Sequence, residues 1–325
     1  MRKIQRLYHG GIMANYRCTA ACRHCLYSCS PTRTGGYITK ETAVHVCKAL
    51  RDAGCNSVHI GGGEPFLDFG KLLILIETIT DSGITVEYIE TNASWVSDRQ
   101  KVISRLKDIY FAGADTLCIS IDPFHAEYVP IERPLSLASA CQDAGFGYFL
   151  WQERFLSRMS RMDYSKKHSR TEMEKLISPN YILETARSYG VHNGGRAISI
   201  EEKYSSCKPT NTLLQNKPCA GLLSGDHFHV DMHGNFIPPG CTGIAIPLDE
   251  AVNGIPSGKY PAFDALLGGG TAKLLEYATK QGFSPNPRGY TSNCVLCFHI
   301  RSWLSEYAPS PELDSEYYIE SLKYW

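Results

Sequence analysis

Three cysteines within eight residues, in Cys18-Thr-Ala-Ala-Cys22-Arg-His-Cys25, constrain this chain more than any other feature. Spacings of four and three residues let the sulfurs converge on one metal centre from a single tight loop. A closed zinc site or a fully ligated iron–sulfur cluster takes four protein ligands. Three thiolates leave one metal position open to a small molecule. Downstream, a strand-like run at 57–61 leads into Gly61-Gly62-Gly63-Glu64-Pro65, where glycines let the backbone approach a ligand closely.

The rest of the composition agrees with metal chemistry. Thirteen cysteines is many for 325 residues, and the number is odd. The N-terminus carries no apolar signal segment, so the cysteines imply metal or redox work in a reducing cytoplasm, not a disulfide framework. No apolar run approaches the length of a membrane span. Lys plus Arg (33) balance Asp plus Glu (33), which removes the basic field that would attract nucleic acid.

The first two hundred residues alternate helix-like and strand-like stretches. Helices are expected at 39–53, 69–80, 98–110, 135–144 and 181–189. Strands are expected at 57–61, 84–90, 116–121, 146–151 and 196–201. Repeated βα units imply a parallel sheet, and about six of them fit an α/β fold of the partial (β/α)6 barrel type. Function then gathers at the C-terminal ends of the strands. Two strands end in polar residues there. Alternation puts Glu90 and Asn92 on one face of the third unit, and Cys118, Ser120 and Asp122 on one face of the fourth. A hydrated cavity inside the barrel would account for polar residues on strands otherwise buried on both sides. His125 follows closely and is a further candidate. The polar stretch 153–175 reads as a solvated insertion, or alternatively as a lid or a contact for an acidic peptide.

Beyond residue 205 the rhythm stops. A hairpin is expected over 227–238, turning at His233-Gly234-Asn235, followed by Gly- and Pro-rich loops and a helix over 261–280. Cys219 and Cys241 flank the hairpin, and Cys294-Val-Leu-Cys297 is a common metal-binding turn. These four could hold a second iron–sulfur cluster or a structural zinc ion, which spacing does not separate. Cys207 is left over. Cys47, Cys55 and Cys141 read as small apolar side chains. The expected organisation is a barrel over 1–203, a small cysteine domain over 204–300 and a helical tail over 301–325.

Together the motifs at 18–25 and 61–65 resemble the signature of the radical S-adenosylmethionine (SAM) enzymes. That resemblance implies a [4Fe-4S] cluster on Cys18, Cys22 and Cys25, with SAM chelating the open iron and Cys29 a bystander. It further implies that Gly62, Gly63, Glu64, Asn92, Ser120 and Asp122 bind SAM. His24 stands where the family has an aromatic residue near the adenine. The second half resembles the twitch domain, a shortened SPASM domain, with an auxiliary [4Fe-4S] cluster on Cys219, Cys241, Cys294 and Cys297. The runs 25–32, 62–68 and 119–125 resemble twitch-containing peptide-modifying enzymes, with the radical SAM peptide epimerases the nearest group.

The implied activity is reductive cleavage of SAM and hydrogen abstraction from an unreactive carbon of a ribosomally made peptide, giving epimerisation or a cross-link. A small metabolite is the alternative substrate; a non-catalytic iron–sulfur or zinc carrier or scaffold is the alternative class. Epimerases carry adjacent cysteines after the hairpin, one of them the hydrogen donor. Here Pro238-Pro239-Gly240-Cys241 offers one cysteine, so Cys241 or Cys207 would donate, or the outcome differs. A reductant such as flavodoxin or ferredoxin is implied as a partner. Peptide recognition is expected from the barrel mouth, from 153–175 or from a separate protein.

Overall fold

A computed structural model describes residues 2–324. Eight strands form one open sheet in the order β5-β4-β3-β2-β1-β6-β7-β8. They are β1 (His9–Met13), β2 (Ser57–Gly61), β3 (Thr85–Thr91), β4 (Thr116–Ser120), β5 (Gly147–Trp151), β6 (Asp226–Val230), β7 (Asn235–Ile237) and β8 (Ile246–Pro247). Neighbours from β5 through to β6 are parallel, and β7 and β8 add antiparallel. The expected α/β class and parallel sheet are present.

Helices Lys40–Asp52, Phe69–Asp81, Arg99–Ala112 and Glu132–Ala144 follow the first units. Their starts are legible chemically. Thr39, Asp68 and Asp98 each accept a backbone N–H of the first turn, and Gly113 and Gly145 take the left-handed conformation that ends a helix. Each helix buries an apolar stripe, such as Leu72, Leu75, Ile76 and Ile79, against the sheet. Among the described residues no helix is long and apolar enough to cross a membrane.

Two strands differ from expectation. The strand expected at 196–201 is instead a short turn, Gly195–Ala197, and a helix, Ile198–Tyr204. Its alternating Ile198 and Ile200 fit either form, and the burial of Arg196 beneath the cysteine loop decides for the helix. The sixth parallel strand is β6, which pairs with β1 and not with β5. The hairpin therefore continues the barrel sheet and does not stand apart from it.

Central β1 had no sequence signature because it reads His9-Gly-Gly-Ile-Met13, with two glycines of low strand propensity. The structure explains them. A Cβ on Gly10 would come within 2.8 Å of the Phe228 ring, and one on Gly11 within 2.6 Å of the His229 ring while also striking His59. Side chains of the flanking strands occupy the space above β1.

The segment 153–175 forms short helical pieces, including Arg170–Leu176. Phe155, Met159, Met162 and Met173 anchor it to the core, leaving its basic residues outward. The helices Asn293–Tyr307 and Ser315–Leu322 are likewise packed, with Tyr317 and Tyr318 buried.

Gly11→Ala is expected to destabilise the protein by about 1–3 kcal/mol, the usual cost of overpacking. Chemical denaturation would show a lower midpoint at unchanged slope; an unchanged midpoint would mean that the histidines yield freely.

Candidate functional site: a cysteine loop over a barrel cavity

The loop after β1 is built by backbone pairing with the glycine turn after β2. Gly63 N–H donates to the Asn15 carbonyl (2.9 Å) and side-chain oxygen (3.1 Å), and Glu64 N–H donates to the Arg17 carbonyl (3.0 Å). The Asn15 amide returns a bond to the Glu64 carbonyl (3.1 Å). A Cβ on Gly62, whose φ is +133°, would lie 2.6 Å from the Asn15 carbonyl oxygen. The glycines thus serve the close approach of two chain segments, as well as exposing backbone to the cavity.

Glu64 is wholly buried, and its carboxylate accepts from Thr91 Oγ1 (2.9 Å), Asn92 N–H (2.8 Å) and Phe66 N–H (3.2 Å). Burial pushes its pKa up to about 7, against those three bonds. This carboxylate, expected on SAM, fastens the glycine turn to the end of β3 and is not among the residues that line the cavity. Asn92, held there, donates its amide to Cys18 Sγ (3.4 Å) and Thr19 Oγ1 (3.2 Å).

Cys18, Cys22 and Cys25 line one cavity of about 460 Å³, together with Gly62, Gly63, Glu90, Asn92, Ser120 and His24. The sulfurs accept N–H bonds at 3.4 Å, Cys18 from Ala20 and Cys25 from Cys29. The Cys29 thiol bonds to Cys25 and holds the Cys25 thiol down to about 5 despite burial, while Cys29 itself is pushed up. Cys18, without such a donor thiol, is pushed well up by burial.

Beneath the loop lies Arg196, fully buried, donating to the carbonyls of Cys22 (2.9 Å) and Cys29 while its backbone N–H reaches the Cys25 carbonyl (3.1 Å). The C-terminal helix clamps the far side. Ser30 Oγ donates to Glu320 (2.6 Å), Ser28 Oγ bonds Ser321 Oγ (2.6 Å), and Arg33 donates to Asp314 (3.1 Å). The sequence expectations include neither Arg196 nor this clamp; Gly194-Gly195 before Arg196 is the one local signal.

Asp122 also lies behind the cavity. Its Oδ1 caps the short helix Pro123–Ala126, accepting from Phe124 and His125 N–H, and its Oδ2 takes His125 Nδ1 at 2.7 Å. Burial would raise its pKa, but the His125 ring prevails and holds it at about 2. Asp122 is thus a cap and the partner of His125, and it is not among the residues that line the cavity. His24 stacks on Phe124 at 4.9 Å, burial pushes it down to about 4, and its Nδ1 is buried without a partner. His24, Asp122 and His125 bring three ligand atoms within 4.8 Å, although Asp122 is already engaged on both oxygens.

In the second cysteine group the thiols lie near enough to act on one another electrostatically. Cys294 and Cys297 open the helix Asn293–Tyr307, Cys219 N–H donates to the Leu266 carbonyl (3.2 Å), and Cys241 ends the turn after β7. Burial pushes the Cys219 and Cys241 thiols up to about 11 and about 12, each raised further by the other cysteines of the set and opposed by Arg301. Arg301, one turn beyond Cys297, is buried and donates to the Thr242 carbonyl (2.8 Å). Cys207 is exposed and outside this group, and neither Cys207 nor Cys241 lines the barrel cavity; Cys118 of β4 does.

Residues 13–139 match the family described as the radical SAM superfamily. YydG of Bacillus subtilis (strain 168), named for peptide biosynthesis, is 31% identical over 113 residues, 35% of each chain. The match thus spans about a third of that relative. Among solved structures, BtrN with AdoMet and 2-DOIA covers 83% of this chain and 90% of its own at 14% identity and TM-score 0.42. SuiB of Streptococcus suis covers 89% and 77% at 12% identity and TM-score 0.38.

Glu64→Gln is expected to cost about 1–3 kcal/mol, because the amide turns an N–H toward donors that need an acceptor. A lowered unfolding midpoint with glycine-turn amides exchanging faster would support this; unchanged protection would refute the tie.

Proposed function

We propose that this chain, which carries a radical SAM superfamily domain over residues 13–139, is an enzyme that cleaves SAM reductively and abstracts a hydrogen atom from a peptide. The observation that carries the reading is the cavity itself. It collects the three loop cysteines, the backbone of Gly62 and Gly63, and the strand-end residues Asn92 and Ser120 from four separate segments. The donor set suits a cluster: three thiols from one loop, with N–H groups already directed at Cys18 and Cys25.

In this reading Cys18, Cys22 and Cys25 hold a [4Fe-4S] cluster. A reduced cluster there, with SAM bound, would supply a 5′-deoxyadenosyl radical, and that chemistry is the cofactor's own. The chain's share is positioning and shielding. Gly62 and Gly63 offer backbone groups to SAM, and His24 Nδ1, buried and unpartnered, offers a nitrogen toward the cavity. Asn92 and Arg196 fix the loop from either side.

Cys219, Cys241, Cys294 and Cys297 would hold an auxiliary [4Fe-4S] cluster. The 113-residue stretch similar to YydG, named for peptide biosynthesis, supports a peptide substrate; epimerisation or cross-linking would be the outcome. Flavodoxin or ferredoxin in a reducing cytoplasm would serve as electron donor.

The test is anaerobic reconstitution, reduction with dithionite and an assay for 5′-deoxyadenosine from SAM. Its formation is expected. Its absence with both clusters intact and SAM bound would overturn the enzymatic reading. In a Cys18/Cys22/Cys25→Ala variant about four irons per chain should remain; zinc in their place would remove the auxiliary cluster.

A further inference from the structure

Beside the cysteine loop, the cavity is walled in part by imidazoles. Gly11 of β1 stands in register with His59 of β2 on one side and His229 of β6 on the other. Because Gly11 has no side chain, the two rings meet over the β1 backbone, Nε2 to Nε2 at 3.1 Å. Glu90 Oε1 lies 3.8 Å from His59 Nε2, in space kept open by Gly61, where a Cβ would stand 2.9 Å from Glu90 Oε2. The rings are set in place by stacking. Tyr88 lies on His59 at 4.9 Å and 7°, and Tyr27 packs against His229 at 5.1 Å.

We propose that His59, His229 and Glu90 form a binding site for a divalent transition-metal ion such as zinc, separate from both cysteine groups. Two nitrogens on one tetrahedral zinc, each at about 2.0–2.1 Å, stand roughly 3.3 Å apart. The pair is already near that spacing. A carboxylate with two imidazoles is a donor set that suits zinc, iron, cobalt or nickel, and occupying the cysteine groups with iron–sulfur clusters removes the thiolates that would compete for zinc. Glu90 keeps 43% of its side chain exposed toward the cavity and is free to close on the pair.

Two further observations support a ligand over a plain hydrogen bond between rings. His227 holds φ at +53°, a strained conformation for a non-glycine residue, at the bulge where the β1–β6 register shifts. That bulge keeps the His227 ring 5.6 Å from His59 and 5.5 Å from His229, in reach as a fourth ligand. The Nε2-to-Nε2 bond leaves one ring with its lone pair at that atom, and moving the shared proton to Nδ1 of the other ring frees the second for a metal. His229, His227 and Glu90 line the cavity. An open coordination position on such an ion therefore faces whatever occupies it.

The experiment uses the full chain with its clusters reconstituted. A small excess of zinc is added anaerobically, unbound metal is removed by desalting, and bound zinc is measured by mass spectrometry and zinc-edge X-ray absorption. About one zinc per chain with nitrogen and oxygen ligands and no sulfur is expected. His59→Gln and His229→Gln should each weaken that zinc by at least tenfold, as loss of coordinating order does, with iron content and circular dichroism unchanged. No retained zinc, zinc bound only through sulfur, or zinc indifferent to both substitutions would overturn the site and leave a hydrogen-bonded pair. Should either variant fail to fold, the ligand set of the unmodified protein decides alone.

Discussion

The cysteine loop keeps its shape through one buried carboxylate. Glu64 stands at the end of β2 and accepts from the end of β3, and the residue so fixed, Asn92, donates to Cys18. A carboxylate in a dry interior is costly unless its oxygens are engaged. Three donors engage them, and none is offered by solvent. The same turn is pressed against Asn15 and Arg17, so β1, β2 and β3 share one polar joint at their C-terminal ends. Parallel strands place that joint where a barrel cavity opens.

The two cysteine groups are mechanically joined. Arg196 supports the first loop, and its neighbour Gly195 donates a backbone N–H to Tyr317 Oη at 2.6 Å. Tyr317 Oη also bonds Thr242 Oγ1 at 2.6 Å, next to Cys241, and Arg301 reaches the Thr242 carbonyl. The C-terminal helix that carries Tyr317 also grips residues 28–34 of the first loop. A short chain of hydrogen bonds therefore runs from the first cysteine loop to the turn that carries Cys241.

Much of this was legible in the sequence, because helix periodicity, caps and cysteine spacing are local. The four first-half helices and β2 to β5 follow from it, as does the gathering of Cys18, Cys22 and Cys25. What was hidden depends on distant neighbours. Gly10 and Gly11 read as poor strand residues, and only the rings of Phe228, His59 and His229 show why they form the central strand. Ile198 and Ile200 alternate like a strand, but Arg196 needs a buried place under the loop. Glu64 and Asp122 carry the charges that a cofactor would attract, yet each is consumed by backbone donors that no sequence pattern displays.

The account depends on the loop holding a cluster with one iron left for SAM. Mössbauer spectroscopy of the ⁵⁷Fe-reconstituted protein, with and without SAM, tests this most directly. The Cys219, Cys241, Cys294 and Cys297 group is replaced by alanine so that one cluster is observed. The account predicts that SAM shifts the parameters of about one iron in four and leaves the rest. A spectrum unchanged by saturating SAM would mean a closed cluster, with Cys29 or another residue as fourth ligand, and would contradict it.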